Sequence, residues 1–162
     1  MFFAKTKVID ATAGFGSDTF DFVRRGKQVC AIERVVMVAM MLEEAAAEFQ
    51  LRQRDGEIRV VCGDAIDEIR VQESADVIFL DPMFPDRGRQ SAQPRKAQQM
   101  LRRLAGEDPD ASILFQVARQ HARKRVVVKR PRNALPLGDD PDIMHKGKSV
   151  RYDIYLTGRT SR

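Results

Sequence analysis

The sequence predicts an α/β fold: a mostly parallel sheet with helices on both faces, closed by a C-terminal antiparallel hairpin. Three observations predict it. Short β-branched runs alternate with helix-like stretches from the first residues onward, and that alternation implies right-handed βαβ crossovers. Turn residues mark most junctions between them. The last two strand-like runs, Ile143–Lys146 and 150–157, flank Gly147 closely enough to pair as a hairpin.

Each element follows from local pattern. Lys7–Asp10 is a short apolar run ending in an acid, followed by the turn-rich Ala13-Gly14-Phe15-Gly16-Ser17. Residues 18–25 carry Phe20, Phe22 and Val23 and stop at Gly26, a helix closed at C′. A strand at 29–33 precedes the longest helical pattern, 36–54, which is rich in Ala, Met, Leu and Glu and is closed by Asp55-Gly56. Then come a strand at 58–62, a short helix at 65–69 and a buried strand at 76–80. Residues 86–94 read as a polar loop, and 96–104 and Ala111–His121 read as helices, the second with Asp110 placed to cap it. A strand at 125–129 stops before Pro131, and 133–141 is a proline-containing loop.

The chain has 162 residues, 43% of them apolar and 31% charged, which suits a single domain able to bury a core without covalent staples. Cys30 and Cys62 form no CxxC pair and no disulfide framework; lying within strands, they read as small buried hydrophobes. Met37, Met40, Met41 and Leu42 read as helix core. No apolar run approaches the length of a membrane-spanning helix and MFFAKTKVID is too short for a signal peptide, so no membrane partner and a cytoplasmic location are expected. Charge is divided unevenly. Residues 1–81 hold 10 Lys/Arg and 15 Asp/Glu, whereas residues 82–162 hold 18 and 8. A basic half favours a polyanionic partner such as nucleic acid.

In open α/β sheets ligands bind beyond the carboxyl ends of the strands, and four groups stand there. Asp10, Gly14, Gly16, Ser17 and Asp18 form a strand–glycine turn–helix junction where backbone can approach a ligand; an ordinary tight turn has the same pattern. Thr19 occupies the third glycine position, so the dinucleotide fingerprint fails. Glu33 ends the second strand and is either an acceptor for ribose hydroxyls or a solvated loop acid. Asp64 follows the third strand and either meets an adenine amino group or caps the next helix. Asp81-Pro82-Met83-Phe84-Pro85 follows the fourth strand. Its two prolines stiffen a carboxylate, a carbonyl and a ring, which suits a planar, amino-bearing substrate.

These groups together resemble a Rossmann-like class I S-adenosylmethionine-dependent methyltransferase, with Asp81-Pro82-Met83-Phe84 similar to the motif of enzymes that methylate exocyclic amines. The ordered series Asp-Ala-Thr-Ala-Gly-Phe-Gly, Ile32-Glu33-Arg34, Leu80-Asp81-Pro82-Met83-Phe84-Pro85, the stretch from Arg125 through Lys129-Arg130-Pro131, and Tyr152-Asp153-Ile154-Tyr155 is similar to the RsmJ family. Those are the bacterial small-subunit (16S) rRNA guanine-N2 methyltransferases. The resemblance implies S-adenosylmethionine as cofactor, with Asp10, Gly14, Gly16, Ser17, Asp18, Glu33, Arg34, Asp64, Ala65 and Asp81 as its contacts. It implies Asp81 and Phe84 as the catalytic pair, and 16S rRNA or the small ribosomal subunit as partner.

Pro82, Met83 and Phe84 are expected to meet the substrate, joined by Lys129 and Arg130 as an active-site pair at a strand's carboxyl end. Other basic residues, Arg87, Arg89, Arg95, Lys96, Arg102 and Arg103 among them, are expected to be solvated or to contact phosphate. His121 and His145 are isolated, so no metal is expected. Val35-Val36 stands where the family has Asn-Pro. Family members also carry a substantial segment before the first motif, and Asp10 already lies inside that motif. The expectation is therefore a single methyltransferase domain over 1–162 that lacks this segment. Two other readings stay open: the same scaffold methylating a protein or small-molecule amine, and a non-catalytic RNA-binding domain with a degenerate cofactor site.

Overall fold

The computed structural model describes residues 5–52, 56–82 and 110–158. Along the chain run β1 (Lys7–Asp10), α1 (Ser17–Arg24), β2 (Gln28–Glu33), α2 (Val36–Arg52), β3 (Glu57–Cys62), α3 (Ala65–Val71), β4 (Val77–Leu80), α4 (Ala111–His121), β5 (Arg125–Pro131), β6 (Ile143–Lys146) and β7 (Val150–Leu156). The strands form one sheet in the order β3-β2-β1-β4-β5-β7-β6. β3 through β5 pair in parallel. β7 runs antiparallel to both β5 and β6, which is the expected closing hairpin.

Strand alternation assigns the two faces. Val8, Val29 and partly buried Val77 pack with Val23 of α1 and Phe49 of α2, and Ala31 packs with Leu42 of α2. Their neighbours Ile9, Ile32, Ile78 and Leu80 turn the other way, joining Val126, Val128, Ile69 of α3 and Leu114, Phe115 and Ala118 of α4. Phe115 meets Tyr155 edge-on, ring centroids 4.6 Å apart. Parallel strands buried on both faces explain why these runs read as nearly continuous hydrophobic stretches. Gly26, in the left-handed region at φ 73°, closes α1 by donating its N–H to the Val23 carbonyl at 2.9 Å, the expected helix stop.

Four expectations change. Met37, Met40 and Met41 are 63%, 66% and 49% exposed. The inward stripe of α2 is Val38, Ala39, Leu42 and Ala46, so of the named cluster only Leu42 belongs to the core. Cys62 is exposed and Cys30 half-buried, because β3 is the sheet's edge and Cys62 is its last residue. β5 runs on through Pro131. Beyond Val128 its partner among the described residues is β7, and a proline is tolerated at such a strand end. Asp110 sits at the N-cap of α4 but its side chain makes no capping bond. The expected loop at 86–94 and helix at 96–104 lie outside the described residues.

Candidate active site

From β1 the chain proceeds outward to β2 and β3, then returns to lay β4 on the other side of β1. The switch point between β1 and β4 opens a crevice at the carboxyl ends of the strands. Asp10, Glu33, Asp81 and Lys129 stand at those ends.

The turn after β1 is shaped from within. Gly14 and Gly16 adopt left-handed backbone, φ 53° and 82°. A Cβ on Gly16 would also crowd the Leu42 and Phe20 side chains, lying 2.5 Å from Leu42 Cδ1, which adds to the preference for glycine set by the positive φ. Gly16 is the N-cap of α1 and supplies no side-chain acceptor. The first-turn N–H groups of α1 therefore have no side-chain cap to satisfy them. Asp10 is 1% exposed. Its Oδ2 accepts from Thr19 Oγ1 at 2.5 Å and its Oδ1 from the Thr12 N–H at 3.3 Å. Burial pushes its pKa up to about 7, against the lowering effect of the Thr19 and Thr12 bonds. Its bonds tie the turn after β1 to the first turn of α1.

Glu33 serves the same turn from the neighbouring strand. Oε2 accepts the Gly14 N–H at 2.9 Å and Oε1 accepts the Val35 N–H at 2.8 Å. The residue is 7% exposed, so a solvated loop acid is not what the structure holds. Each carboxylate oxygen keeps further acceptor capacity for hydroxyl groups. Gly63 donates its N–H to the Glu33 carbonyl at 3.1 Å, which brings Asp64 beside the end of β2. Asp64 caps α3 through the Ile66 N–H at 2.8 Å; of its two readings, capping is the one visible in the fold. Ala65 opens α3 and packs partly against the core. Arg34 and Ser17 are exposed.

The strand ends across the switch point are joined directly. The Asp81 N–H donates to Thr12 Oγ1 at 2.7 Å, tying the segment after β4 to the turn after β1. Lys129 Nζ lies 2.7 Å from Asp18 Oδ2 and 3.0 Å from Asp81 Oδ2. Burial works against its charge, but Asp81 and Asp18 outweigh burial and hold its pKa above the usual lysine range. Tyr152, the cross-strand partner of Lys129, feels the same charges, with burial the main influence raising its phenol pKa.

The expected Lys129–Arg130 pair does not form, because consecutive strand residues point to opposite faces. Arg130 is buried, with Nη2 donating to the Leu135 carbonyl at 2.5 Å. Pro82 is buried. Met83 and Phe84 lie outside the described residues. Thr12 and Tyr152 are not among the site residues the sequence predicts, although Tyr152 stands in the family series. An Asp-x-Thr at a strand's end is the signal for the first, and strand register against Lys129 the signal for the second.

Comparison with known proteins agrees with this geometry. A family described as "Putative SAM-dependent methyltransferase" matches residues 3–157. The ribosomal RNA small subunit methyltransferase J of Laribacter hongkongensis is 44% identical over 158 residues, 93% of this chain and 56% of that protein. Its namesake in Neisseria meningitidis serogroup B is 38% identical, covering 98% of this chain and 67% of that protein. The crystal structure of a SAM-dependent methyltransferase from Neisseria gonorrhoeae superposes with a TM-score of 0.72 at 32% identity, over 96% of this chain and 67% of that one. The chain thus spans between about half and two thirds of the length of these relatives.

Proposed function

The chain belongs to the SAM-dependent methyltransferase family, within the RsmJ group, and on that premise we propose that it methylates the exocyclic N2 amine of a guanosine in 16S ribosomal RNA. The observation that carries the proposal is the junction at the switch point. Asp81, at the end of β4, is bonded both to the turn after β1 through Thr12 and to the start of α1 through Lys129 and Asp18. A group that can hold an amine thereby stands against the glycine turn.

The residues present suit S-adenosylmethionine. Two left-handed glycines, an N-terminus of α1 without a side-chain cap and an acid at the end of β2 make a cradle of backbone donors with one charged acceptor. Gly14, Gly16, Ser17 and Asp18 would meet its amino-acid end, Glu33 and Arg34 the ribose, and Asp64 and Ala65 the adenine. Asp10 would act from behind the turn, holding its shape. When bound, S-adenosylmethionine supplies a methyl group already activated on a sulfonium.

This chain's residues then have to place and prepare the nucleophile. A guanine exocyclic amine is weakly nucleophilic because its lone pair is delocalised into the ring. Hydrogen bonds from the amine to the Asp81 carboxylate and the Pro82 carbonyl favour a pyramidal nitrogen and return the lone pair to it. Phe84 stacks on the base and Met83 lines its approach. The proton leaves after methyl transfer, so no strong base is required. A base in paired RNA must be splayed out to reach this loop. The basic second half of the chain favours RNA over a protein or a small amine as the bearer of that base.

We place the reaction in the cytoplasm; among the described residues no helix is long and apolar enough to cross a membrane. The test is incubation with labelled S-adenosylmethionine and either unmodified 16S rRNA or small subunits, followed by mapping of the modified base. N2-methylguanosine in either substrate is the expected product. Label appearing only in protein or small amines, or no turnover with tight RNA binding, overturns the proposal.

A further inference from the structure

We propose that Lys129 is a positioning residue that couples the cofactor turn to the substrate loop, and is not a phosphate contact for RNA. The inference rests on the methyltransferase reading above and deepens it. Among the basic residues of the second half, Lys129 has a specific internal address: its Nζ bridges Asp18 at 2.7 Å and Asp81 at 3.0 Å. Asp18 lies in the first turn of α1, against the glycine turn; Asp81 follows β4 directly and shares a loop with Pro82. One ammonium therefore links residues from the two segments that must hold cofactor and amine in line.

The surroundings favour a fixed bridge over a free cation. The Lys129 side chain is only 18% exposed, on a strand paired with β7 and just past the last β4 pairing at Val128. Tyr152 stands directly opposite it on β7. A lysine saturated by two carboxylates has little charge left to neutralise a phosphate. The same bridge offsets the repulsion that Asp18 and Asp81 would exert on one another across the crevice. Losing it removes the ammonium that draws the Asp81 carboxylate towards the start of α1.

The test compares Lys129→Met, Lys129→Gln and Lys129→Arg with the unaltered chain, so that one neutral variant remains if the other fails to fold. Three quantities are read: cofactor affinity by calorimetry, kcat and KM for RNA, and the slope of RNA affinity against salt. A neutral residue should lower kcat by roughly tenfold or more through misplacement of the reacting groups, leaving the KM for RNA and the salt slope unchanged. Arginine, which keeps the charge, should recover most of the turnover. A phosphate contact behaves oppositely: the salt slope drops by about one and kcat at saturating RNA survives. That result overturns the proposal.

A double-mutant cycle of Lys129→Met with Asp81→Asn, read by cofactor affinity alone, should be non-additive, as groups in one ionic network are; additive losses also overturn it. Because the cycle needs no RNA, it still decides the coupling if the chain methylates no RNA at all. In that event the proposed substrate falls and the role of Lys129 is judged separately.

Discussion

The Glu33 carboxylate accepts the Gly14 N–H at 2.9 Å, so the acid that closes β2 fixes the turn that follows β1. A residue proposed to hold the cofactor's ribose is thus also part of the scaffold, and the two roles respond together to substitution. Glu33→Ala strands the buried Gly14 N–H, at about 1–3 kcal/mol, and the part-buried Val35 N–H at less. It also removes a charged acceptor for hydroxyls, a loss of roughly 1.5–3 kcal/mol in cofactor binding. Urea unfolding should show the first effect and calorimetric titration the second. Unchanged cofactor affinity in a folded Glu33→Ala protein would reject the ribose assignment.

Asp10 makes stability depend on pH with an unusual sign for a carboxylate. Burial raises its pKa from 3.8 to about 7, so between these values the folded chain keeps a proton that the unfolded chain has released. The stability this group confers is complete below pH 3.8 and declines as pH rises, levelling off above pH 7. The corresponding free energy is at most roughly 4 kcal/mol. Asparagine can accept from the Thr12 N–H and donate to Thr19 Oγ1 without ever ionising. Between pH 5 and pH 8 the urea midpoint should therefore fall more for the wild-type chain than for Asp10→Asn. Parallel declines in the two proteins would show that Asp10 ionises at its ordinary pKa.

Phe84→Ala separates substrate handling from cofactor handling. Stacking of a base on an aromatic side chain is worth about 1–3 kcal/mol, so turnover on RNA should collapse while calorimetry shows cofactor affinity intact. Guanine methylation at the wild-type rate would mean that the ring has no part in holding the base.

The closing hairpin carries its own stability test. Arg151 grips Asp153 with two bonds, Nε to Oδ1 at 2.8 Å and Nη2 to Oδ2 at 2.9 Å, and both residues are buried. Asp153→Ala leaves a buried guanidinium without its counter-charge and should cost about 3–5 kcal/mol. Replacing both partners, Arg151→Met with Asp153→Leu, should recover most of that loss in denaturant unfolding. A double variant as unstable as the single one would assign the cost to packing.

Short-range pattern was enough to read most strands, because short β-branched runs bounded by turn residues identify themselves locally. The order of motifs along the chain likewise revealed the family. Facing was harder to read. Whether Met40 or Leu42 meets the sheet depends on how α2 rolls against β2 and β3, and both are apolar residues in one helix. Lys129 and Arg130 are adjacent and alike in charge, yet strand alternation sends one to Asp81 and the other into the opposite face. The hydrogen bond from the Gly14 N–H to Glu33 arises only once β1 and β2 lie side by side, whereas the one from Val35 is local.

The central position of β1 has a consequence for how the chain acquires its shape. One edge of β1 pairs with β2, where Val8 meets Val29; its other edge waits for β4, where Val8 meets Val77. Parallel pairing over such sequence separation is slow, since the entropy of closing the intervening loop is lost before the contacts form. During synthesis, β1, α1 and β2 can associate early, but an edge of β1 stays open until β4 emerges. Refolding rates should accordingly respond to the stability of β4, with substitutions at Ile78 slowing folding more than equally destabilising ones on β6.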